Sequence, residues 1–357
     1  MTSVRVLCLS AALTLLLSSQ IVAQAQQLAT VTTLAGSPKQ AGKADGLGTA
    51  ARFTRPMGIA LAPDGTVYVA DTNNHCIRRI SPTGEVTMLA GAADAPGSVD
   101  GIGASARFVS PLGVALDAQG NLYVADAGDH TIRRVAPTGA VTTLAGTAGH
   151  KGRVDGPRVA ARFHAPHGIA VASNGTVYVA DTENHTIRQL SPAGVVTTWA
   201  GLAGQKGAAD GNQLAARFFH PTGLAVDTKA TVYVVDNGNH TVRLITPAGN
   251  VSTLAGKAGK PGSTDGVGSA ARFDWPNGIA VDAQGKLYVA DNVNSTVRCI
   301  TPTGQVTTVA GKAHSWGSED GPAQDARFEF PFGVAVDGAG TVLYITDTKN
   351  HCIRCIR

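Results

Sequence analysis

The sequence predicts an all-β protein built as a six-bladed β-propeller. Three observations support this: a strict repeat, four short strands in each repeat, and chain ends that complement each other. The segment ARFTRPMGIA at residues 51–60 is one of six related copies, and the arginine of each copy lies 55 residues after the one before it. A DG pair precedes every copy and has the same period. A fixed period of this kind indicates a repeat architecture.

Each repeat contains four short apolar stretches. In the first repeat they are GIALA, TVYVAD, HCIRRI and VTMLAG, with the turn sequences PDG and SPTG between them. β-Branched residues favour strands, and Pro and Gly favour tight turns. Four antiparallel strands form one propeller blade.

The two ends of the chain predict how the ring closes. VTTLAG at residues 31–36 is a fourth strand with no first three before it, and the chain ends in HCIRCIR, a third strand with no fourth after it. We expect the N-terminal strand to complete the last blade, which would leave no blade with an open edge.

These repeats resemble the NHL repeat family. The resemblance is clearest in PHGIAVASNGTVYVADTENHTIRQL at residues 166–190 and extends over residues 27–357. It implies a six-bladed NHL propeller. It does not fix the function, because the family includes enzymes, receptor ectodomains and scaffolds.

The first residues have the features of a secretory signal peptide. Arg5 precedes an apolar run from Val6 to Leu17, and AQA ends at Ala25. We predict a signal peptide at 1–25 and a single propeller domain of 55-residue repeats at 26–357, secreted or periplasmic. The apolar run is too short to span a bilayer, so no membrane insertion is expected.

Residues present in every repeat are expected to hold the blade together. We predict that the Asp of DG and the Arg of ARF form a clamp of guanidinium with carboxylate or carbonyl, and that the Phe of ARF packs between blades. The Asp ending each second strand should stabilise the turn that follows it. The histidines of the NH dipeptides are interpreted as turn-stabilising and not as a metal ring, because each lies on a separate blade: His75, His130, His185, His240 and His351.

Residues that differ between repeats mark the candidate binding site. They flank the repeated proline in the loop that opens each blade, and these loops should surround the mouth of the central channel. We predict two sectors. The histidine sector contains His164, His167 and His220, and the aromatic and acidic sector contains Asp274, Trp275, Glu329, Phe330 and Phe332, with Asn277 as a further candidate.

Four cysteines follow the predicted signal peptide, all on third strands. An offset of three residues places two of them on one strand face and two on the other. This favours disulfides between Cys299 and Cys352 and between Cys76 and Cys355, the second joining the last blade to the first. The alternative is four buried thiols.

The sequence favours a binding or scaffolding module for a protein, peptide or glycan. It contains no G-x-S-x-G, H-E-x-x-H or P-loop motif. Its basic residues are scattered, and the formal net charge is only +4, so no nucleic-acid partner is predicted. We expect a monomer without a required cofactor.

The alternative is a secreted metal-dependent enzyme of the lyase or lactonase type. Related six-bladed propellers include such enzymes, and the resemblance implies that a histidine directly after the blade-opening proline contributes to the metal site. His167 has that position and is the candidate ligand for zinc or calcium, with Asn277 and Asp274 or Glu329 as partners.

Overall fold

The computed structural model describes residues 29–357 as six antiparallel sheets, one for each repeat. The predicted signal peptide at 1–25 lies outside the described residues. Within them, no helix has the length and apolar character needed to cross a membrane. The predicted six-bladed all-β propeller is confirmed.

Each blade has five strands, ordered here from the channel outwards. The inner strands are Pro56–Leu61, Pro111–Leu116, Pro166–Val171, Pro221–Val226, Pro276–Val281 and Pro331–Val336. The second strands are Val67–Asp71, Leu122–Asp126, Val177–Asp181, Val232–Asp236, Leu287–Asp291 and Leu343–Asp347. The third strands are Cys76–Ile80, Thr131–Val135, Thr186–Leu190, Thr241–Ile245, Thr296–Ile300 and Cys352–Ile356. The fourth strands are Glu85–Gly91, Ala140–Ala145, Val195–Ala200, Asn250–Gly256, Gln305–Gly311 and Thr30–Ala35.

The fifth, outermost strands have two residues each and were not predicted. They are formed by the DG segments: Gly46–Leu47, Gly101–Ile102, Gly156–Pro157, Gly211–Asn212, Gly266–Val267 and Gly321–Pro322. Each pairs with the fourth strand of its own blade. The segment is too short to carry an apolar pattern, so sequence periodicity did not reveal it.

Short 3-10 helices connect some of these strands. One set follows the outermost strands at Gly48–Ala50, Gly103–Ser105, Arg158–Ala160, Gln213–Ala215 and Gly268–Ala270. The other set follows the second strands at Thr72–Asn74, Thr182–Asn184, Asn237–Asn239 and Thr348–Asn350.

The ring closes as predicted. Thr30–Ala35 lies in the sixth blade between Cys352–Ile356 and Gly321–Pro322, with Val31 opposite both Ile356 and Gly321. The sixth blade therefore contains strands from both ends of the chain, and its third strand is paired along both edges.

Neighbouring blades pack face to face through apolar clusters. The cluster between the last and first blades combines Tyr344 and Ile353 with Val67 and Val69. It also contains Phe53, the Phe of the first ARF, which is fully buried like its five equivalents. This confirms the predicted packing role of the repeated phenylalanine.

The inner strands approach so closely that only glycine fits at one position of each. A Cβ on Gly168 would lie 1.9 Å from the carbonyl oxygen of Thr222 in the next blade, and one on Gly58 would lie 2.0 Å from that of Leu112. The glycines of the P-x-G motif therefore set the width of the ring at its axis.

A buried arginine in every third strand connects the parts of its blade. Arg78 contacts Asp71 through Nη1 at 3.0 Å and Asp45 through Nη2 at 2.6 Å. It also donates to the backbone carbonyls of Arg52 and Ala44, and its guanidinium lies 5.1 Å from the centre of the Phe53 ring. Equivalent arginines occupy the other blades: Arg133, Arg188, Arg243, Arg298 and Arg354.

This arginine corrects the predicted clamp. The DG aspartate bonds the third-strand arginine and not the arginine of ARF. The Arg52 guanidinium instead donates to the carbonyls of Thr49 and Ala51, at the end of a 3-10 helix. The predicted bonding of the ARF arginine to backbone carbonyls is therefore confirmed. Its predicted pairing with the DG carboxylate is wrong, because that carboxylate pairs with the third-strand arginine.

The predicted disulfides are absent: all four cysteines of residues 29–357 are free. Cys355 does pack in the cluster between the last and first blades, as its strand face required. However, Cys76 lies opposite Asp71 at one end of its strand, whereas Cys355 lies opposite Tyr344 near the other end. Three residues correspond to about 10 Å along a strand, beyond the ~7 Å that a disulfide spans between Cα atoms. The same offset separates Cys299 from Cys352.

Replacing the buried arginine should destabilise the ring far more than replacing its exposed neighbour. Arg78→Ala leaves the buried Asp71 carboxylate without its cation, and we expect a loss of about 3–5 kcal/mol in the free energy of unfolding. Arg79→Ala, on the same strand with its side chain exposed, is the matched control and should cost under about 0.5 kcal/mol. Denaturant unfolding measures both, and equal losses would contradict the role given to Arg78.

Candidate functional site

One face of the propeller carries both the loops that open the blades and the turns that follow the second strands. In the first blade Pro56 lies opposite Asp71, and Asp71 lies opposite Cys76, so both connections emerge at the same end of the sheet. We call this side the loop face. The blade-opening loops are the residues from the position after ARF to the position after the proline, 54–57 in the first blade and their equivalents.

The buried aspartate at the end of each second strand anchors the blade-opening loop. Asp71 accepts the backbone N–H of Thr54 at 2.8 Å and the side-chain amide of Asn74 at 2.7 Å. Burial raises the pKa of Asp71 to about 6, while these donors and Arg78 act in the opposite direction. The predicted turn-stabilising role of these aspartates is confirmed.

The turn histidines also hold the blade-opening loops. Each ends its turn in a left-handed conformation, as His240 does with φ 58°. The Nδ1 atom of His240 accepts the backbone N–H of Trp275, in the next blade, at 3.1 Å. The interpretation of these histidines as turn-stabilising therefore needs extending, because they connect one blade to the next.

The residues that follow the prolines line the axial channel at the loop face. They are Leu112, His167, Thr222, Asn277 and Phe332. Asn277 is held there by its neighbours, since its Nδ2 donates to the carbonyl of Trp275 and its Oδ1 accepts from Asn237. These side chains form the floor of the candidate site.

His167 differs from the other channel residues in its unsatisfied nitrogen. Its Nδ1 is buried and has no hydrogen-bond partner among the described residues. Burial lowers the pKa of His167 to about 4, with Glu183 opposing the shift and His220 adding to it. The imidazole is therefore neutral at physiological pH, and its Nδ1 is buried without a partner among the described residues.

The other predicted histidines lie in the same sector of the loop face. His220 stacks against His185 with ring centroids 4.8 Å apart, and its Nε2 lies 3.7 Å from Glu183 Oε2. His164 contacts the neighbouring His130 ring edge-on at 5.7 Å. Each of these candidates thus contacts a turn histidine of the preceding blade.

The aromatic and acidic candidates lie on blades five and six. Trp275 is 43% exposed, and Asp274 beside it lies 3.6 Å from Nδ1 of His240. Phe330 lies between Trp316, at 6.1 Å between ring centroids, and the ammonium group of Lys349, 4.0 Å from the ring centre. Glu329 and Phe332 belong to the same blade-opening loop as Phe330.

Sequence reasoning missed Trp316 and Lys349. Trp316 is 62% exposed and lies in the long connection before the sixth blade, and Lys349 lies in its 3-10 turn. Neither position belongs to the blade-opening loops that were compared between repeats. Their signal was available, because no other repeat has tryptophan at the position of Trp316 or lysine at the position of Lys349.

The candidates therefore share one face but form two sectors. Within residues 29–357, no three His, Cys, Asp or Glu side chains converge closely enough to hold a metal ion. His167 in particular is not joined by Asp274 and Glu329 into a three-ligand site.

Comparison with known proteins agrees with this architecture. The NHL repeat profile matches residues 53–80, 108–135, 163–190 and 273–300, each running from the ARF phenylalanine to the end of a third strand. The chain belongs to the NHL repeat family. It is 28% identical over 326 residues to NHL repeat-containing protein 2 from Bos taurus, covering 81% of this chain and 44% of that protein.

Solved propellers share the fold at low sequence identity. An auxiliary nutrient binding protein from Bacteroides thetaiotaomicron matches this NHL propeller with a TM-score of 0.70 and 18% identity, covering 93% of this chain and 76% of that one. A gluconolactonase from Xanthomonas campestris matches with a TM-score of 0.59 and 19% identity, covering 94% and 92%. The chain spans only 26% to 44% of the first curated relatives that it matches.

Proposed function

We propose that this NHL propeller is an exported binding module that recognises a protein, peptide or glycan at its loop face. Export rests on the signal peptide predicted at residues 1–25. We further propose that the ring acts as a monomer, since its blades already satisfy one another. The similarity to a nutrient-binding propeller in fold is consistent with a binding role and does not identify the ligand.

The observation that carries this proposal is the exposed aromatic surface on blades five and six. Trp275, Trp316 and Phe330 lie on the loop face, and the two tryptophans are 43% and 62% exposed. By contrast, the phenylalanine repeated in all six blades is fully buried. Exposed aromatic side chains that the fold does not require are typical of interaction sites, where they supply large apolar contact area.

Polar groups next to these rings can orient a ligand. Asp274 and Asn277 flank Trp275 in the same loop, and Lys349 lies against Phe330. Aromatic faces bordered by carboxylate, amide and ammonium groups suit a peptide or a sugar, each of which presents both apolar surface and hydrogen-bonding groups.

Removing the aromatic groups should abolish binding without unfolding the ring. We expect the double variant Trp275→Ala, Trp316→Ala to lose at least about tenfold in affinity, since truncating central aromatic residues of an interface commonly costs about 2 kcal/mol. Immobilised wild-type and variant protein would be compared on one peptide library and one glycan array. Leu47→Ala, at an exposed apolar residue on the outer rim, is the control. Equal retention of ligands by all three proteins would contradict the proposal.

A second candidate function is a metal-dependent lyase or lactonase. The observation that favours it is the unpaired Nδ1 of His167, a residue that lines the channel. Asn277 lines the same channel and has an amide oxygen, and a substrate carboxylate would have to complete the coordination. Residues 29–357 bring too few ligands together for a closed zinc site, which is why binding is the preferred function.

Metal content decides between the two functions. The binding proposal predicts less than about 0.1 equivalent of zinc or calcium after dialysis, because one imidazole without convergent carboxylates binds metal weakly. Elemental analysis of the wild type and of His167→Ala measures this, with His150→Ala, at an exposed histidine, as the control. Stoichiometric metal that is lost only in His167→Ala would favour the enzyme.

A further inference from the structure

Four turn histidines accept a hydrogen bond from the next blade through Nδ1. The donor is always the backbone N–H of the residue before the blade-opening proline. The pairs and their N···Nδ1 distances are His351 with Arg55 (3.0 Å), His130 with Ala165 (3.2 Å), His185 with His220 (3.3 Å) and His240 with Trp275 (3.1 Å). A backbone N–H can only donate, so at His130, His240 and His351 Nδ1 must carry a lone pair. Neutral imidazole provides one, and imidazolium, with both nitrogens protonated, does not. At His185 the carbonyl of Thr182, 3.1 Å from Nδ1, competes for the same nitrogen.

The loop residue held by each of these bonds has a left-handed backbone. The φ angles are 51° at Arg55, 47° at Ala165, 48° at His220 and 47° at Trp275. This conformation is unfavourable for residues other than glycine and persists only where surrounding contacts impose it. The bond to the histidine is one of these contacts.

The second blade shows what the loop does when its histidine donates. Nδ1 of His75 lies 2.6 Å from the carbonyl oxygen of Val109, and a carbonyl can only accept, so this nitrogen carries a proton. Here Ser110, the residue before the proline, does not have a positive φ. Its N–H donates to Asp126 instead, at 2.7 Å. The ring therefore contains both arrangements of the same loop.

We propose that the turn histidines are proton-sensitive latches: protonation releases the loops that open blades one, three, four and five, and allows them to take the arrangement seen in blade two. The consequence for ligand binding rests on the proposed function, because these loops form the loop face. The added proton has acceptors nearby. Asp274 Oδ1 lies 3.6 Å from Nδ1 of His240, and the carbonyl of Thr182 lies 3.1 Å from Nδ1 of His185.

The charged groups around the latches differ between blades. His130 faces His164, Asp129 and Lys151; His185 faces His220, Glu183 and Lys206; His240 faces Asp274; His351 faces Arg55 and Glu329. Burial is the largest influence at all four and lowers each pKa below its ordinary value.

These shifts set the direction of the pH effect. Because the folded pKa lies below the unfolded value of about 6.5, the unfolded chain binds protons first. The stabilisation from each latch is complete above about pH 6.5 and is lost as the pH falls through the folded pKa. The latches should therefore hold the loops at neutral pH and release them in mild acid.

Blade six provides an internal control. Ser295 replaces the histidine in the turn of the preceding blade, so the loop that contains Phe330 has no titrating latch. Phe330 is left-handed, with φ 54°. We expect this loop to keep its arrangement in mild acid.

The test is an NMR titration of protein labelled with ¹⁵N-tryptophan, which requires no ligand. The chain has three tryptophans, so three backbone amide signals are expected: Trp199, Trp275 and Trp316. Between pH 7.5 and 4.5 the Trp275 signal should move with a midpoint below pH 6.5, because its N–H loses the acceptor on His240. The signals of Trp199 and Trp316 should stay in place and show that the ring remains folded.

His240→Asn is the matched variant. Asparagine tolerates the left-handed conformation and offers a side-chain oxygen as acceptor, but it does not titrate. The movement of the Trp275 amide should disappear in this variant and persist in His150→Asn. A Trp275 signal that stays in place in the wild type, or that moves equally in His240→Asn, would overturn the proposal. Because the readout contains no ligand, its failure is distinct from unchanged ligand capture by the Trp275 and Trp316 variant.

Discussion

The structure depends on a guanidinium buried between two carboxylates, repeated once in each blade. The third-strand arginine reaches one aspartate at the end of the second strand and one in the outermost segment, so it ties the middle of the sheet to its periphery. Its side chain is at most 1% exposed. A charge this deeply buried is tolerated only when it is paired and hydrogen-bonded, and the two Nη atoms also donate to backbone carbonyls. The paired aspartate in turn anchors the loop that opens the blade, which links the stability of the blade to the shape of the loop face.

Repetition separates stability from recognition in this ring. The arginine, its aspartates, the buried phenylalanine and the axial glycine occur in every blade, and each contacts its own or the adjacent blade. The residues that differ between blades lie at the tips of loops whose backbones these contacts hold. Side chains there can change without disturbing the ring, which is how one propeller fold serves unrelated functions. The turn histidines have an intermediate position, because they belong to the repeat and act directly on the loops.

The sequence was sufficient for the architecture because each blade follows the same local rules. The period of 55 residues, the strand pattern and the unmatched ends predicted six blades and a closing strand at residues 31–36, which the structure has at Thr30–Ala35. Predictions that required distances failed. The strand face of Cys355 was predicted correctly, but its position along the strand relative to Cys76 was not, and a disulfide requires both to match. The partner of the DG aspartate was also missed, since Arg78 recurs as regularly as Arg52 and only the fold shows which of them the aspartate reaches.

For the candidate site, the sequence identified the loop face and its division into a histidine sector and an aromatic and acidic sector, but not every residue of the second sector. Comparison between repeats selected His167, which lines the channel, and Trp275, which is exposed on the loop face. It could not show that Trp316 approaches Phe330, because that contact joins two segments with different positions in the repeat. Nor could it show that Nδ1 of a histidine receives a backbone N–H from the next blade, which depends on the tight spacing of the ring.

The central claim is that repeated residues hold the ring and unrepeated residues serve recognition. Its most direct test is the thermal unfolding midpoint of a chain in which Phe219–His220, Asp274–Trp275 and Glu329–Phe330 are all replaced by the Thr–Arg pair of residues 54–55. Arg55, His220, Trp275 and Phe330 share nearly the same left-handed φ, so the replacement fits the existing backbone. We predict a midpoint within about 3 °C of the wild type, which corresponds to a loss of about 2 kcal/mol in a chain of this size. A fall of about 10 °C or more would show that the variable loops hold the ring, and would contradict the claim.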